Sequence, residues 1–531
     1  MRSLLSISLS VLLSISSVVG QVKLSEKVKV SMGKPYAVVD APNKEYVYTG
    51  NGKVIAVKSS GKLVTVQVFD AAGSSQISSK QYKDWPKKFH PEQVVEVGSK
   101  VYFLYSVVNK GLKTWELFAR EIDKETGVFG ATKKLVTPTR DVTPVKRGEF
   151  MGGMSIFSGS RFGFYNSVDK SKLMVSYRLK PLSRKDKENY DELGFWIVDE
   201  SLNISGGEAK MPYTEAEMNN LTFAVGGSGN GYLIAYLNET KTFELMKVSP
   251  DGTLNHYPIQ IQAGLSFAEL MLKEDNKGNL LFAGYYANGI EYKWNGGFVL
   301  NVNGLYFARM TQEGKVNLVR NIEFPESLIS QYESERQKEK NEKREADGKL
   351  GIEDLKMREF TVNSDGSVVF FGEQYMVRNE MDWQGNSKTV YYYQDMVLTK
   401  IDKEGKVLWM KKLPKMQYGY AGRNEMGVSY SYSNGFHYIM YLDNKKNAEL
   451  SLDKAPAKHK DGMGGFLTAY VVSDASGAVE KHLIFDTDDL KGKPVYQFKT
   501  SRILAGQDGT QYIEVYLKGK KDGLIKLEIQ K

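Results

Sequence analysis

The sequence predicts an all-β fold, a β-propeller of eight blades with seven as the alternative count, closed by pairing of its N- and C-terminal strands. Three observations predict it. A two-hairpin phrase recurs along the chain, its copies follow one another without intervening helices, and the last copy stops one strand short.

The phrase has an alternating strand, a turn with Gly near Asp, Glu or Ser, and a second alternating strand. It reads ELFAREIDKETGVFGATKKL from Glu116, VLTKIDKEGKVLWMKKLP from Val397 and LTAYVVSDASGAVEKHLIF from Leu467. Gly tolerates the positive φ of a tight connection, and Asp or Ser can bond the turn backbone, so each copy is a hairpin. A second hairpin precedes most copies, as in LTFAVGGSGNGYLIAYL from Leu221 and FTVNSDGSVVFFGEQYMV from Phe360. Two hairpins make a four-stranded blade. Third strands fall near Val64, Glu116, Phe195, Phe243, Tyr306, Val397, Leu467 and Leu524. The last, GLIKLEIQK, lacks its partner. The start of the mature chain supplies it, from VKLSEKVKV (Val22 to Val30) or YAVVD (Tyr36 to Asp40), and so closes the ring. A β-sandwich is the alternative fold, but it does not explain so many copies of one unit.

Residues 1–20 read as a signal peptide. Arg2 gives the positive n-region, Leu4 to Val19 form the apolar stretch, and Val18 and Gly20 stand at the small-residue positions before a cut near Gln21. Residues 21–531 then form one propeller domain. No second apolar run long enough to span a membrane follows, so no transmembrane span remains once the leader is removed. The chain has no cysteine, which excludes thiolate metal sites, iron–sulfur clusters, a cysteine nucleophile and a lipid anchor on cysteine. Export without cysteine points to a bacterial envelope: periplasmic, outer-membrane-associated or extracellular. The formal net charge of +9 is spread over 531 residues among acidic neighbours, so no nucleic-acid partner is expected.

Loop lengths are asymmetric. Long connections follow the second strands (Lys180 to Glu192, Ala287 to Asn303, Arg378 to Thr389, Asp443 to Gly464) and the fourth strands (Pro138 to Gly148, Pro325 to Lys356, Pro414 to Met426). In an antiparallel blade both classes emerge on one face, where binding residues collect on a rigid scaffold. Residues 325–347, PESLISQYESERQKEKNEKREAD, read as one charged helical insertion, docked by Leu328, Ile329 and Tyr332 with its charged remainder in solvent.

Catalytic templates are missing. The five histidines are scattered, with no HExxH, GxSxG or P-loop pattern, and the acidic fragments from Asp443 and Asp486 do not match a calcium loop. No metal and no cofactor is expected. The positive signal lies in TRDVTPVKRGEF (Thr139 to Phe150) and QYGYAGRNEM (Gln417 to Met426), which precede innermost strands and so reach toward the channel mouth. Arg140, Arg147, Tyr418, Tyr420 and Arg423 combine stacking faces with fixed cations, which suits a sugar, carboxylate or peptide ligand. Packing of the tyrosines is the alternative reading.

The phrases KIDKEGKVLWMKKLPK (Lys400 to Lys415), FFGEQYMV (Phe370 to Val377) and FYNSVDKSKLMVSY (Phe164 to Tyr177) resemble uncharacterised secreted β-propeller proteins of Bacteroidetes-type bacteria. The resemblance lies in blade grammar and implies a fold, with no activity and no functional residue attached. The Asp-box of sialidase-like propellers and the hydrolase domain of prolyl-oligopeptidase-like ones are both lacking. Two function classes therefore stand. One is a non-catalytic ligand- or protein-binding scaffold of the cell envelope, with an envelope protein, glycan or peptide on the long-loop face. The other is a glycan-active hydrolase or lyase with acid/base residues at the channel mouth.

Overall fold

Apolar alternation on both sides of a glycine turn gives antiparallel pairs, and in the computed structural model of the chain these pairs assemble into an eight-bladed β-propeller. The structure describes residues 23–530 except 145–159, 260–264, 289–290, 293–297, 334, 347–349, 382–383, 421–425, 463 and 491. The expected leader at residues 1–20 lies outside them. Blades 1 to 7 comprise residues 43–82, 89–136, 163–214, 218–259, 266–323, 355–413 and 429–486. All eight positions expected in third strands lie in third strands, from Val64 in Leu63–Asp70 to Leu524 in Lys521–Ile529.

Blade 8 joins the two ends of the chain. Its third strand, Lys521–Ile529, pairs with Val28–Met32, in register from Val28 opposite Ile529 to Met32 opposite Ile525. Tyr36–Ala37 pairs with the same strand at Asp522 and Lys521. Both expected N-terminal segments thus contribute, with Gly33 between them. A side chain on Gly33 would land on the Ser74 carbonyl, so only glycine lets the chain pass blade 1 there.

The core is divided by the ring into eight buried apolar clusters, each shared by two neighbouring blades. The seam between blades 8 and 1 is apolar in Tyr36, Val54, Ala56, Phe69, Ala71, Tyr512 and Leu524. It also holds a buried ionic cluster. The Lys58 ammonium donates to Glu514 and lies 3.3 Å from Asp522, and Lys44 lies 3.1 Å from Glu514. The Tyr36 and Tyr46 hydroxyls each donate to Glu514 at 2.7 Å.

The short turns seal the opposite face with their own side chains. Asp402 accepts from the amides of Glu404 and Lys406, and Asp275 from those of Lys277 and Asn279. The Thr126 hydroxyl and amide hold the Asp123 carboxyl below its usual range. Several turns after third strands also pack on the blade before them, as Gly127, Gly314 and Gly405 do on Val68, Tyr257 and Arg320. Gly477 has φ +68, and a Cβ there would sit 2.8 Å from the Trp409 ring of blade 6. Gly477→Ala is therefore expected to destabilise the protein by at least about 1–2 kcal/mol, the cost of a left-handed residue alone. A chemical-denaturation midpoint unchanged in that variant would contradict this packing.

Residues 325–347 form two helices where the sequence reads as one. Glu326–Ile329 and Glu335–Ala346 are separated at Tyr332, which takes φ 69. The cause is Lys412 of blade 6. Its ammonium takes the carbonyls of Ile329 (2.9 Å) and Gln331 (2.8 Å), and the Tyr332 hydroxyl donates back to the Lys412 carbonyl at 2.9 Å. The second helix is also anchored, since Asn341 is buried and donates to Glu333. Glu339, Glu342, Lys343 and Glu345 face solvent.

Candidate functional site

The innermost strands line the channel, and two of them carry carboxyl groups with displaced pKa values. Glu45, in blade 1, accepts from the Val94 amide of blade 2 at 2.8 Å. Burial pushes its carboxyl up to about 8, against the pull of that amide and of Arg502. Glu269 lies on the innermost strand of blade 5. Burial pushes it up to about 7, against Lys356 and Arg358, and its Oε2 atom is buried without a hydrogen-bond partner. Blades 1 and 5 are opposite members of a ring of eight, so these groups lie on opposite walls rather than flanking one bond as a glycosidase pair does.

A stability profile follows from Glu45. Its pKa is raised on folding, so the folded chain holds a proton that the unfolded chain releases. The stability this confers is present at low pH and falls as pH rises toward about 8. Between about pH 7 and 8 ordinary histidines have largely titrated, and the slope is set by Glu45 with a smaller share from Glu269 near the lower end of the interval. Glu45→Gln keeps the acceptor for Val94 and should flatten the fall of melting temperature over that interval. An identical slope in the variant would contradict the assignment.

Beside Glu269, the channel wall of blade 6 is a closed ionic network. Glu373 is buried and accepts from Arg358 at 3.0 Å and from Lys415 at 2.5 Å. Tyr375 and Tyr393, with centroids 4.9 Å apart, pack against these cations. Gln417 ties the network to blade 7, donating to the Leu442 carbonyl at 2.7 Å and accepting from the Gly427 amide at 2.8 Å.

Above that network blade 6 grows out of the ring. Much of the connection expected as a loop from Arg378 to Thr389 is instead continued strand. The second strand runs on to Met381 and the third begins at Ser387. Two further strands extend the sheet. Gln417–Tyr420 pairs with the third strand, Tyr418 opposite Tyr392 and Tyr420 opposite Val390, and His459–Lys460 from blade 7's long connection pairs with it in turn. Partnered residues share a face, so Arg378, Lys388, Tyr392, Tyr418 and Tyr420 lie on the same side of this ledge. The rings of Tyr392 and Tyr418 are 6.1 Å apart with planes within 19°. A cation rides over each ring: Arg378 over Tyr392 at 5.6 Å, Lys458 over Tyr418 at 5.8 Å and Lys388 over Tyr420 at 5.9 Å. Arg378 also pairs with Glu353 at 3.0 Å, and Tyr392 donates to Glu380.

The ledge brings Tyr418 and Tyr420 together; the connection expected to reach toward the channel mouth is at this point a strand paired with the third strand of blade 6. Arg140 stands elsewhere. Its guanidinium donates to the Lys180 carbonyl and pairs with Glu192, both at 2.9 Å, and so ties the connection after blade 2 to blade 3. Arg147 and Arg423 lie outside the described residues. Sequence reasoning missed Tyr392, Lys388, Arg378 and Lys458. The alternation of MVRNEM before DWQGNS and of SKTVYYYQ after it was the available signal for a long hairpin. His437 is buried in blade 7, with both ring nitrogens engaged by Tyr430 and Asp474. Among the described residues no group of three or more His, Cys, Asp or Glu side chains could hold a metal ion.

These features define an eight-bladed, all-β propeller with one decorated face. No family model and no curated protein matches the chain. Solved structures similar to it include a protein of unknown function from Bacteroides caccae, at 11% identity and TM-score 0.28, covering 68% of this chain and 93% of that one. Another is the β-propeller domain of the Trilobed protease from Pyrococcus furiosus, at 12% identity and TM-score 0.34, covering 86% and 98%. A prolyl endopeptidase is similar at 10% identity and TM-score 0.38, covering 92% of this chain and 55% of that one, so the chain spans about half its length. Among the described residues no helix is long and apolar enough to cross a membrane.

Proposed function

We propose that this chain is a non-catalytic binding or scaffold propeller of the bacterial cell envelope, exported by the leader at residues 1–20, which takes a glycan, peptide or envelope protein on its long-loop face. The observation that carries this reading is the ledge of blade 6. On the opposite face, turn carboxylates such as Asp402 and Asp275 are spent on their own backbone amides. The ledge instead sets Tyr420, 38% exposed, among half-buried tyrosines and flanking cations. Stacking faces and fixed charges on rigid strands form a recognition surface that needs no chemistry. The proposed site comprises Tyr418 and Tyr420, with Arg423 and Arg147 as cations read from the sequence; Arg140, engaged by Glu192 and the Lys180 carbonyl, is left out of it. N-terminal sequencing of the exported protein is expected to start near Gln21.

A glycan-array screen run beside a pull-down from envelope extract tests the reading. Replacing Tyr418 and Arg423 by alanine is expected to weaken the captured ligand by at least about 1 kcal/mol. Undiminished capture by that variant would overturn the site. A second reading, a hydrolase or lyase acting on glycans, rests on Glu269, a channel carboxyl held near neutrality with an unpartnered oxygen. Glycan cleavage abolished by Glu269→Gln would replace the binding reading with this one.

A further inference from the structure

We infer that the free edge of the blade 6 ledge, residues 376–381, docks an extended segment of a partner polypeptide, which joins the sheet as one more strand. The inference rests on the binding reading above and assigns a partner to the edge of that same ledge. The chain's own path leaves this edge open. The innermost strand of blade 6, Leu355–Val362, pairs with the second strand from Val362 opposite Val368 to Leu355 opposite Gln374. Just before it, the Asp354 carbonyl accepts from the Tyr375 amide at 3.1 Å. Asp354 takes φ 49, and the chain ahead of it turns off, Ile352–Glu353 pairing instead with Asn301–Val302. Beyond Tyr375 the second strand runs on to Met381 with the third strand on one side and no strand on the other.

Alternation decides which backbone groups face the open side. In an antiparallel strand every second residue turns its amide and carbonyl to the same neighbour. The Tyr375 amide points to the open side, so the amides and carbonyls of Val377, Asn379 and Met381 do too, and none of them has a partner among the described residues. The side chains of these three share one face, where Val377 is 51% exposed and Met381 82%. On the other face Arg378 stays paired with Glu353, and Glu380 accepts from Tyr392. The edge is also undefended. Outer strands of the blades carry lysine or proline, such as Lys80 in blade 1, Lys133 in blade 2, Pro258 in blade 4 and Lys411 in blade 6, which discourages a further strand. The edge sequence MVRNEM has neither. Unpaired amides and carbonyls repeating at every second residue are matched by another extended backbone, laid in line with Leu355–Val362. Beside Val377 and Met381 that backbone sets apolar side chains at alternate positions.

The test is selection of displayed random peptides on the immobilised full chain, followed by affinity measurement on the selected peptides. Apolar residues at alternate positions are expected in them. Methylating every second backbone amide of such a peptide should weaken binding about tenfold or more in one register and less in the other. Asn379→Pro removes an outward amide and keeps the ladder to the third strand, so it should weaken the peptide about tenfold with little change in melting temperature. Val377→Lys with Met381→Lys, at exposed positions, places charges on the edge and should produce the same loss should the proline variant fail to fold. Peptides held equally by the native chain and these variants would overturn the inference, as would affinity that survives methylation in both registers. Failure to select any peptide would also overturn it. A glycan of the array held alike by the native chain and Asn379→Pro would then leave the binding face standing, whereas a native chain that captures no peptide, glycan or envelope protein would sink both.

Discussion

Glu514→Ala is expected to lower stability by about 3–5 kcal/mol, because it strands a charge in the seam that closes the ring. The Lys58 side chain has no exposure to solvent and that of Glu514 only 5%. Burial pushes the Lys58 ammonium down, and Glu514 opposes it. Burial likewise works against the Glu514 carboxylate, yet Lys58 and Lys44 hold its pKa below the ordinary glutamate value. Asp522 is driven the other way, up, by burial and by Glu514 itself. Removing Glu514 leaves Lys58 and Lys44 facing one carboxyl group, Asp522, and leaves the Tyr36 and Tyr46 hydroxyls without their acceptor. Glu514→Gln, which keeps an acceptor but no charge, should fall between the variant and the native chain. Denaturation midpoints that place both variants within error of the native protein would contradict the seam.

Deleting the chain up to Pro35 is expected to abolish the folded monomer. It removes Val28–Met32 and exposes residues 525–529 of the third strand as a bare edge, a ready template for aggregation. It also removes Val28, Val30 and Met32 from the seam between blades 7 and 8. Val28 is buried and Val30 and Met32 are partly buried; with at most roughly 1.5–3 kcal/mol for each fully buried apolar side chain, the loss is a large share of the stability of a typical domain, about 5–15 kcal/mol. Light scattering and thermal melting of the truncated chain check this. A truncated monomer melting at the native temperature would show that the N-terminal strand does not close the ring.

The blades were legible in the sequence because a hairpin is a local object: alternation and a Gly turn lie within about 20 residues of each other. The closure was legible because VKLSEKVKV and YAVVD read as strands ahead of the first hairpin and GLIKLEIQK reads as a third strand. What escaped was set by distant partners. Lys58 and Glu514 are separated by 456 positions, and nothing near either one marks it as buried. The break at Tyr332 comes from Lys412, across the fold, against a segment whose own composition favours an unbroken helix. Of the candidate residues, Tyr418 and Tyr420 were found from their aromatic cluster. Their neighbours Tyr392 and Lys388 were hidden because a hairpin that outgrows its blade reads as a strand plus a loop. Arg140 has the chemistry of a ligand contact, but Glu192 and the Lys180 carbonyl, which engage it, are visible only in three dimensions.

Hydrogen exchange of the full chain with and without the tightest-binding glycan of the array tests the central claim, that ligand is held by the blade 6 ledge, most directly. The account predicts that the bound ligand slows exchange within residues 376–381, 387–392, 417–420 and 458–460 and leaves the turns of the opposite face, such as 123–127 and 402–406, unchanged. Measurable binding whose protection falls on those turns, and not on the ledge, would contradict it.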